Sequence, residues 1–231
     1  MNKLDPSHVA KLIVPISHRA MLYKLVYEVT KLLDKHDIPY FMDGGTLLGA
    51  IRHTDLIPWD DDIDLGVLDK DFYRKLPKLK CEFEKFGFFV DNKDSHLMKV
   101  YIKDRWLVDE FKTVGTPTLD IFCYTVKKGK IRLHKQSHYI RWKAATYDYN
   151  DMFPLKEYKF GPIKLKGANN PFPYLDGLYK DWQDAAVIEM RSMNPDGTSN
   201  KGIMIKVKIH DLFDFLDKHQ ILGIVKEVVD R

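Results

Sequence analysis

The chain has 231 residues, 45% of them hydrophobic and 30% charged, which is enough apolar material for a buried core and excludes an intrinsically disordered segment. Its formal net charge is +4, with 37 basic residues spread along the chain, so nucleic acid is not demanded as a partner and a small phosphorylated substrate fits equally well. Cys81 and Cys123 stand far apart and outside any zinc-ligand spacing, which argues against structural zinc and a disulfide-stapled scaffold and points to a reducing compartment.

The first 17 residues contain no uninterrupted apolar stretch of leader type, and no run is long enough to cross a bilayer. A cytoplasmic protein without a membrane span is expected. From Ser17 to His36, the apolar positions Met21, Leu22, Leu25, Val26, Val29, Leu32 and Leu33 recur at three- and four-residue steps, predicting an amphipathic helix with Ser17 as N-cap. Residues 38–42 read as a short buried strand, Gly44 and Gly45 as the turn after it, and residues 46–53 as a second helix. Ile63, Leu65 and Val67 alternate with Asp62, Asp64 and Gly66 as a two-faced strand, and Asp69 opens a charged helix interrupted at Pro77. Further strands are expected at residues 88–90, 97–102, 106–111, 119–126 and 131–134, the last two joined as a hairpin through a turn containing Gly129. Beyond Tyr139 the chain reads as irregular through Pro173. A short helix over 174–182, a loop over 193–200 and a closing helical segment with apolar positions from Leu212 to Val225, broken near Gly223, complete the pattern. The mixture predicts one α/β (α+β) domain over residues 1–231, with a core of about 17–135 and a C-terminal substrate-side region of about 136–231.

The stretch that carries chemistry is DGGTLLGAIRHTDLIPWDDDIDLG, residues 43–66, in which Asp60, Asp61, Asp62 and Asp64 crowd four carboxylates into five positions. Side chains two apart on a strand share a face, so Asp62 and Asp64 bring their charges together, and such charges raise each other's pKa unless a divalent cation neutralises them. Carboxylate oxygens suit Mg²⁺ or Mn²⁺ better than zinc. Alone, the run would be a solvated acidic turn. A calcium-binding loop would need glycine directly after its third ligand, whereas Leu65 follows Asp64. Gly44 and Gly45, between strand and helix, offer backbone N–H groups and the positive end of a helix dipole to phosphate oxygens. Thr46 adds a hydroxyl, and Arg52, two turns along, either reaches the same phosphates or pairs with a nearby aspartate.

GGTLLGAIRH, then IPWDDDIDLG, then LDIF at residues 119–122, resembles the LicD family, which includes bacterial phosphocholine transferases and animal fukutin-related ribitol-phosphate transferases. The similarity continues through DMFPLKEYKFGPIKLKGANNPFPYLDGLYKDW and covers roughly residues 25–182. It implies a nucleotidyltransferase-like mixed β-sheet flanked by helices, with an irregular C-terminal extension. It also implies a metal set of Asp62, Asp64 and Asp120 and a donor turn at Gly44 and Gly45, to which the reading of the residues adds Thr46 and Arg52 for the donor and Mg²⁺ or Mn²⁺ as cofactor. The implied reaction moves a phosphoalcohol from a CDP-activated donor to a glycan or other hydroxyl acceptor, with Asp62, Asp64 and Asp120 as catalytic residues and CMP released. Nucleotidyl transfer from an NTP with pyrophosphate release, and a non-catalytic nucleotide- or glycan-binding module, are the alternatives. Two positions depart from the family's pattern: Cys123 replaces a proline and Lys180 a glycine. Trp59, Trp142, Trp182, Tyr174 and Tyr179 read first as core residues, with Trp142, in a basic stretch, a candidate acceptor contact. His134 and His138, four apart, have no third ligand nearby, so they are not taken as a metal site.

Overall fold

The computed structural model describes residues 13–94, 97–102, 107–109, 112–114, 117–189, 192–193, 199–200 and 204–218. Helix α1 (Ile16–Lys35) buries Leu22, Leu25, Val26, Val29 and Leu33, the apolar stripe seen in the sequence. Its N-cap is Pro15 rather than Ser17: the Pro15 carbonyl accepts the first helical hydrogen bond from Arg19 N at 3.0 Å, which leaves Ser17 exposed inside the first turn. Strand β1 (Tyr40–Met42) leads into α2 (Gly44–Arg52), whose N-cap is Asp43. The two glycines are therefore the first helical turn and not a connection that precedes it.

Strand β2 (Asp62–Leu68) feeds α3 (Asp69–Lys85), which runs unbroken through Pro77. Pro77 is exposed, while Phe72, Leu79 and Phe83 of the same helix are buried, so packing of the apolar face outweighs the one lost backbone bond. Strands β3 (Phe88–Asp94) and β4 (Leu97–Ile102) pair antiparallel; β5 (Leu107–Asp109) and β6 (Lys112–Val114) form a small separate ribbon. Trp106 and Phe111, at the ends of that expected strand, lie outside the described residues. Strand β7 (Thr118–Lys127) is the spine of the sheet. Its first half pairs parallel with β2 and antiparallel with β4, and its second half pairs with β8 (Lys130–Leu133). The Lys128–Gly129 turn between them has φ of +51° and +73°, the geometry that lets a two-residue hairpin follow the strand twist.

The region after Tyr139 is more regular than expected. Helix α4 (Gln136–Arg141), strand β9 (Thr146–Asp148), the turn α5 (Tyr149–Met152) and the hairpin β10 (Lys156–Phe160) with β11 (Ile163–Gly167) occupy it. The hairpin is rich in lysine outside and buries only a few side chains, notably Phe160 and Leu165, so it lacks a long apolar alternation. At its tip Gly161 has φ +57°, and a Cβ there would meet the Tyr23 hydroxyl at 2.4 Å. Helix α6 (Phe172–Leu178) ends before Trp182. Strands β12 (Ala185–Glu189) and β15 (Met204–Lys208) form an antiparallel ribbon that the sequence did not announce, with the short pair β13 (Ser192–Met193) and β14 (Ser199–Asn200) between them. Helix α7 (Ile209–Lys218) is the first part of the expected closing helix; the break near Gly223 and residues 194–198 of the loop lie outside the described residues.

The main sheet has seven strands, ordered β1-β2-β7-β4-β3 with β8 and β9 continuing from β7. Ile63, Leu65, Val67, Leu119, Ile121 and Cys123 alternate to one face and are buried beneath α1 and α3. The opposite face of the same two strands carries Asp62, Asp64 and Asp120. Cys123 thus sits in the core, on the face away from the acidic side chains.

Candidate active site

The parallel register of β2 and β7 sets Asp64 directly beside Asp120, and Asp62 beside Thr118. Asp62, Asp64 and Asp120 therefore stand on the same face of the sheet. Among the described residues, the group whose carboxylate oxygens lie within 4.8 Å of one another is Asp60, Asp61 and Asp62, which includes neither Asp64 nor Asp120. Asp64 is the group on which the cluster bears hardest. Burial pushes its carboxyl well above the ordinary range, and the charges of Asp62, Asp43, Asp60 and Asp120 push it further.

The backbone of Asp64 is fixed by the strand-to-helix turn. Its N–H donates to Thr46 Oγ1 at 2.8 Å, and its carbonyl accepts from Asp43 N at 3.1 Å. Thr46 is buried, so this hydroxyl holds the acidic strand in place instead of standing open to a substrate. The two glycines make the close approach possible. Gly44 has φ +48° and would place a Cβ 2.9 Å from Asp64 Oδ2, while a Cβ on Gly45 would fall 2.6 Å from Asp60 Oδ2.

Asp43 is a functional-looking residue that the sequence reading passed over. It is 5% exposed, and its carboxylate accepts hydrogen bonds from the hydroxyls of Tyr124 (2.6 Å), Tyr174 (2.6 Å) and Tyr147 (3.1 Å). Burial raises its pKa, against the three phenol hydrogen bonds that favour its charge. Tyr174 also accepts the Gly44 N–H at 3.3 Å and stacks on Tyr147 with ring centroids 3.8 Å apart, so the C-terminal half of the chain is stitched to the first turn of α2. Its signal in the sequence was its place immediately before Gly44, where a helix N-cap is expected.

Lys99 was also missed. It is the register partner of Asp120 across β4 and β7, and its ammonium lies 2.5 Å from Asp120 Oδ2. Asp120 is 6% exposed, and its other oxygen, Oδ1, is buried and accepts no hydrogen bond. Burial raises the Asp120 pKa, and Lys99 partly offsets the rise. A buried carboxylate oxygen without a partner, among hard oxygen donors that repel one another, is the environment a small divalent cation satisfies. The residues present fit Mg²⁺ or Mn²⁺.

A cleft of about 620 Å³ opens over Asp60, Asp61, Asp62 and Asp64, with Gly45 and Arg52 on its edge. Arg52 reaches it, and the negative charge of Asp60 acts on its guanidinium. Its Nη1 donates to the carbonyls of Trp182 (3.2 Å) and Ala185 (3.4 Å), its Nε donates to His53 Nε2 at 2.9 Å, and burial lowers its pKa to about 10. Trp59, Trp182 and Tyr179 also border the cleft. Trp142 lies elsewhere, edge-on to Phe122 with the Arg141 guanidinium over its ring. His134 follows β8 and His138 lies within α4, so the two do not share a helix.

A family model described as LicD/FKTN/FKRP, nucleotidyltransferase domain, matches residues 37–170. The chain belongs to this family. An uncharacterized protein of Rickettsia typhi is 33% identical over 170 residues, which cover 72% of this chain and 48% of that one. The chain thus spans about half the length of that relative. Shorter similarities that carry names include lipopolysaccharide cholinephosphotransferase LicD of Haemophilus influenzae, 50% identical over 44 residues (19% of this chain, 16% of that one), and human ribitol 5-phosphate transferase FKRP, 49% identical over 43 residues (19% and 9%). The mixed sheet flanked by helices is the fold that membership in this family predicts. Among the described residues no helix is long and apolar enough to cross a membrane.

Proposed function

We propose that the protein is a divalent-cation-dependent phosphoalcohol transferase, which moves a phosphocholine- or ribitol-phosphate-like group from a CDP-activated donor to a hydroxyl of a glycan and releases CMP. The observation that carries this reading is the side-by-side placement of Asp64 and Asp120, with Asp62 on the same face and Asp120 Oδ1 accepting no hydrogen bond. The two named relatives each carry a phosphoalcohol transfer in their names, one of choline phosphate and one of ribitol 5-phosphate.

Asp62, Asp64 and Asp120 would hold Mg²⁺ or Mn²⁺, which when bound supplies positive charge to offset that of the donor diphosphate. The N-terminus of α2, through Gly45, and the guanidinium of Arg52 at the rim of the cleft orient phosphate oxygens. The acceptor hydroxyl oxygen forms a bond to the phosphorus distal to cytidine as the bond from that phosphorus to the CMP oxygen breaks, so CMP carries away the electron pair. The hydroxyl proton passes to the Asp120 carboxylate. Burial makes that carboxylate a better base, and Lys99 keeps it oriented.

Incubation with CDP-choline, CDP-ribitol, CDP-glycerol and the ordinary NTPs, each with Mg²⁺ or Mn²⁺, tests the reading when both CMP and pyrophosphate are measured. Cation-dependent CMP release from one CDP-alcohol is the expected result. Pyrophosphate from an NTP would replace it with nucleotidyl transfer, and donor binding without turnover across the panel would make the chain a binding module.

A further inference from the structure

The family match ends at residue 170, yet one wall of the cleft lies beyond it, built from Tyr179, Lys180, Trp182, Val187 and Lys206. We propose that this wall seats the nucleoside diphosphate of the donor, with Lys180 and Lys206 taking phosphate oxygens and Val187 meeting the flat face of the base. The inference rests on the transferase reading above and assigns the part of the donor that the acidic strand does not reach.

The charge pattern comes first. The facing wall presents Asp60, Asp61, Asp62 and Asp64, against which an anion can sit only through an intervening cation. The anionic ligand must therefore find its direct positive partners across the cleft, where Lys180, Lys206 and Arg52 stand. The ribbon register comes second. Val187 and Lys206 are cross-strand partners in β12 and β15, so both side chains rise from the same face of the ribbon into the cleft. Val187 is 49% exposed, an apolar patch beside a cation, which matches the apolar and anionic halves of a nucleotide.

Lys206 is held at 2.9 Å by Asp181, and both side chains are largely exposed. A pair exposed to solvent in this way is weak, so Lys206 can exchange its partner for a phosphate. The wall itself is anchored: the half-buried Arg52 of α2 donates to the carbonyls of Trp182 and Ala185, and the Trp182 indole N–H donates to Asp176 at 2.8 Å. The backbone on either side of Lys180 is thereby held across the cleft from the acidic strand. Lys180 also stands where the LicD resemblance predicts glycine, which makes this cation a property of this chain.

Calorimetric titration of the full chain with CDP and with inorganic pyrophosphate, each in the presence of Mn²⁺, tests the assignment. Lys180→Ala and Lys206→Ala are each expected to weaken CDP about tenfold, and the double variant more, with Mn²⁺ binding in the absence of nucleotide unchanged. Val187→Ser, which removes the apolar surface without adding a charge beside Lys206, is expected to weaken CDP while leaving pyrophosphate binding nearly as in the wild type. These substitutions are at exposed positions, and unchanged thermal melts confirm that the variants fold. If the wild type binds CDP and the double variant binds it within twofold, the wall is not the seat and the transferase reading stands. If the wild type binds no CDP with Mn²⁺, the transferase reading beneath the inference fails as well.

Discussion

Asp64 and Asp120 are register partners in the parallel pairing of β2 and β7, so their carboxylates rise side by side from one face of the sheet. Burial and four neighbouring carboxylates raise the Asp64 pKa above its ordinary value. A raised carboxyl pKa disfavours the charged native form: the cost is absent below the unfolded pKa and grows as pH rises toward and through the folded value. At neutral pH, Asp64→Asn should therefore melt higher than the wild type in chelator, yet gain little on adding Mg²⁺ or Mn²⁺, while turnover falls by about 10²–10³ or more. Thermal melts with and without the cation check this, and a gain of wild-type size in the variant would remove Asp64 from the ion site.

Lys99 neutralises Asp120 from β4. In Lys99→Met the buried carboxylate keeps its desolvation cost and loses its cation, so its pKa moves further up. Breaking such a partly buried pair is expected to cost about 1–3 kcal/mol at neutral pH. The loss should shrink as pH falls, because protonation removes the uncompensated charge, and Mn²⁺ should raise the melting temperature of the variant by more than it raises that of the wild type. Equal responses to Mn²⁺ would mean that Lys99 and the ion site are independent.

The acidic strand and its partner were legible because chemistry and alternation coincide there: Ile63, Leu65 and Val67 mark the buried face, and Asp62 and Asp64 fall on the other. Asp120 was legible only through the family's pattern, since one aspartate in an apolar strand has no spacing of its own to read. Lys99 and Asp43 were not assigned because their roles depend on cross-strand register and on three tyrosines distant in sequence, at positions 124, 147 and 174. The cleft's second wall escaped for a related reason. Ala185–Glu189 and Met204–Lys208 are short, and pairing across an intervening segment leaves no local periodic signal.

Tyr174→Phe isolates the stitch between the two halves of the chain. The substitution keeps the stacking surface against Tyr147 but removes the hydroxyl that donates to Asp43 and accepts from Gly44. Two buried groups then lose a partner, for a cost of about 1–3 kcal/mol. Tyr147→Phe, whose hydrogen bond to Asp43 is longer at 3.1 Å, should cost less. Denaturant titrations of the two variants at neutral pH give the comparison. A Tyr174→Phe variant as stable as the wild type would show that the hydroxyl does not hold the turn.

His53 gives the chain a separate acid sensitivity. Burial, then the charges of Arg52 and Arg19, depress its pKa to about 3, and its Nε2 accepts a hydrogen bond from Arg52 Nε, which only a neutral ring can do. The ring also packs edge-on against Trp59 and Phe213, so it cannot simply turn out to water when protonated. In the unfolded chain its pKa is about 6.5. Between these values the unfolded state binds the extra proton, so this contribution to stability is complete above about pH 6.5 and is lost as pH falls toward 3, by at most about 1.4 kcal/mol per pH unit. Asp64 acts in the opposite direction, gaining stability on acidification, so the wild-type profile is a sum of opposed slopes. His53→Gln retains an acceptor for Arg52 and removes the titration. The difference in unfolding free energy between wild type and His53→Gln, followed from pH 7.5 to 5, should therefore move steadily in favour of the variant. A difference that stays constant over that range would place His53 in an environment where it titrates freely.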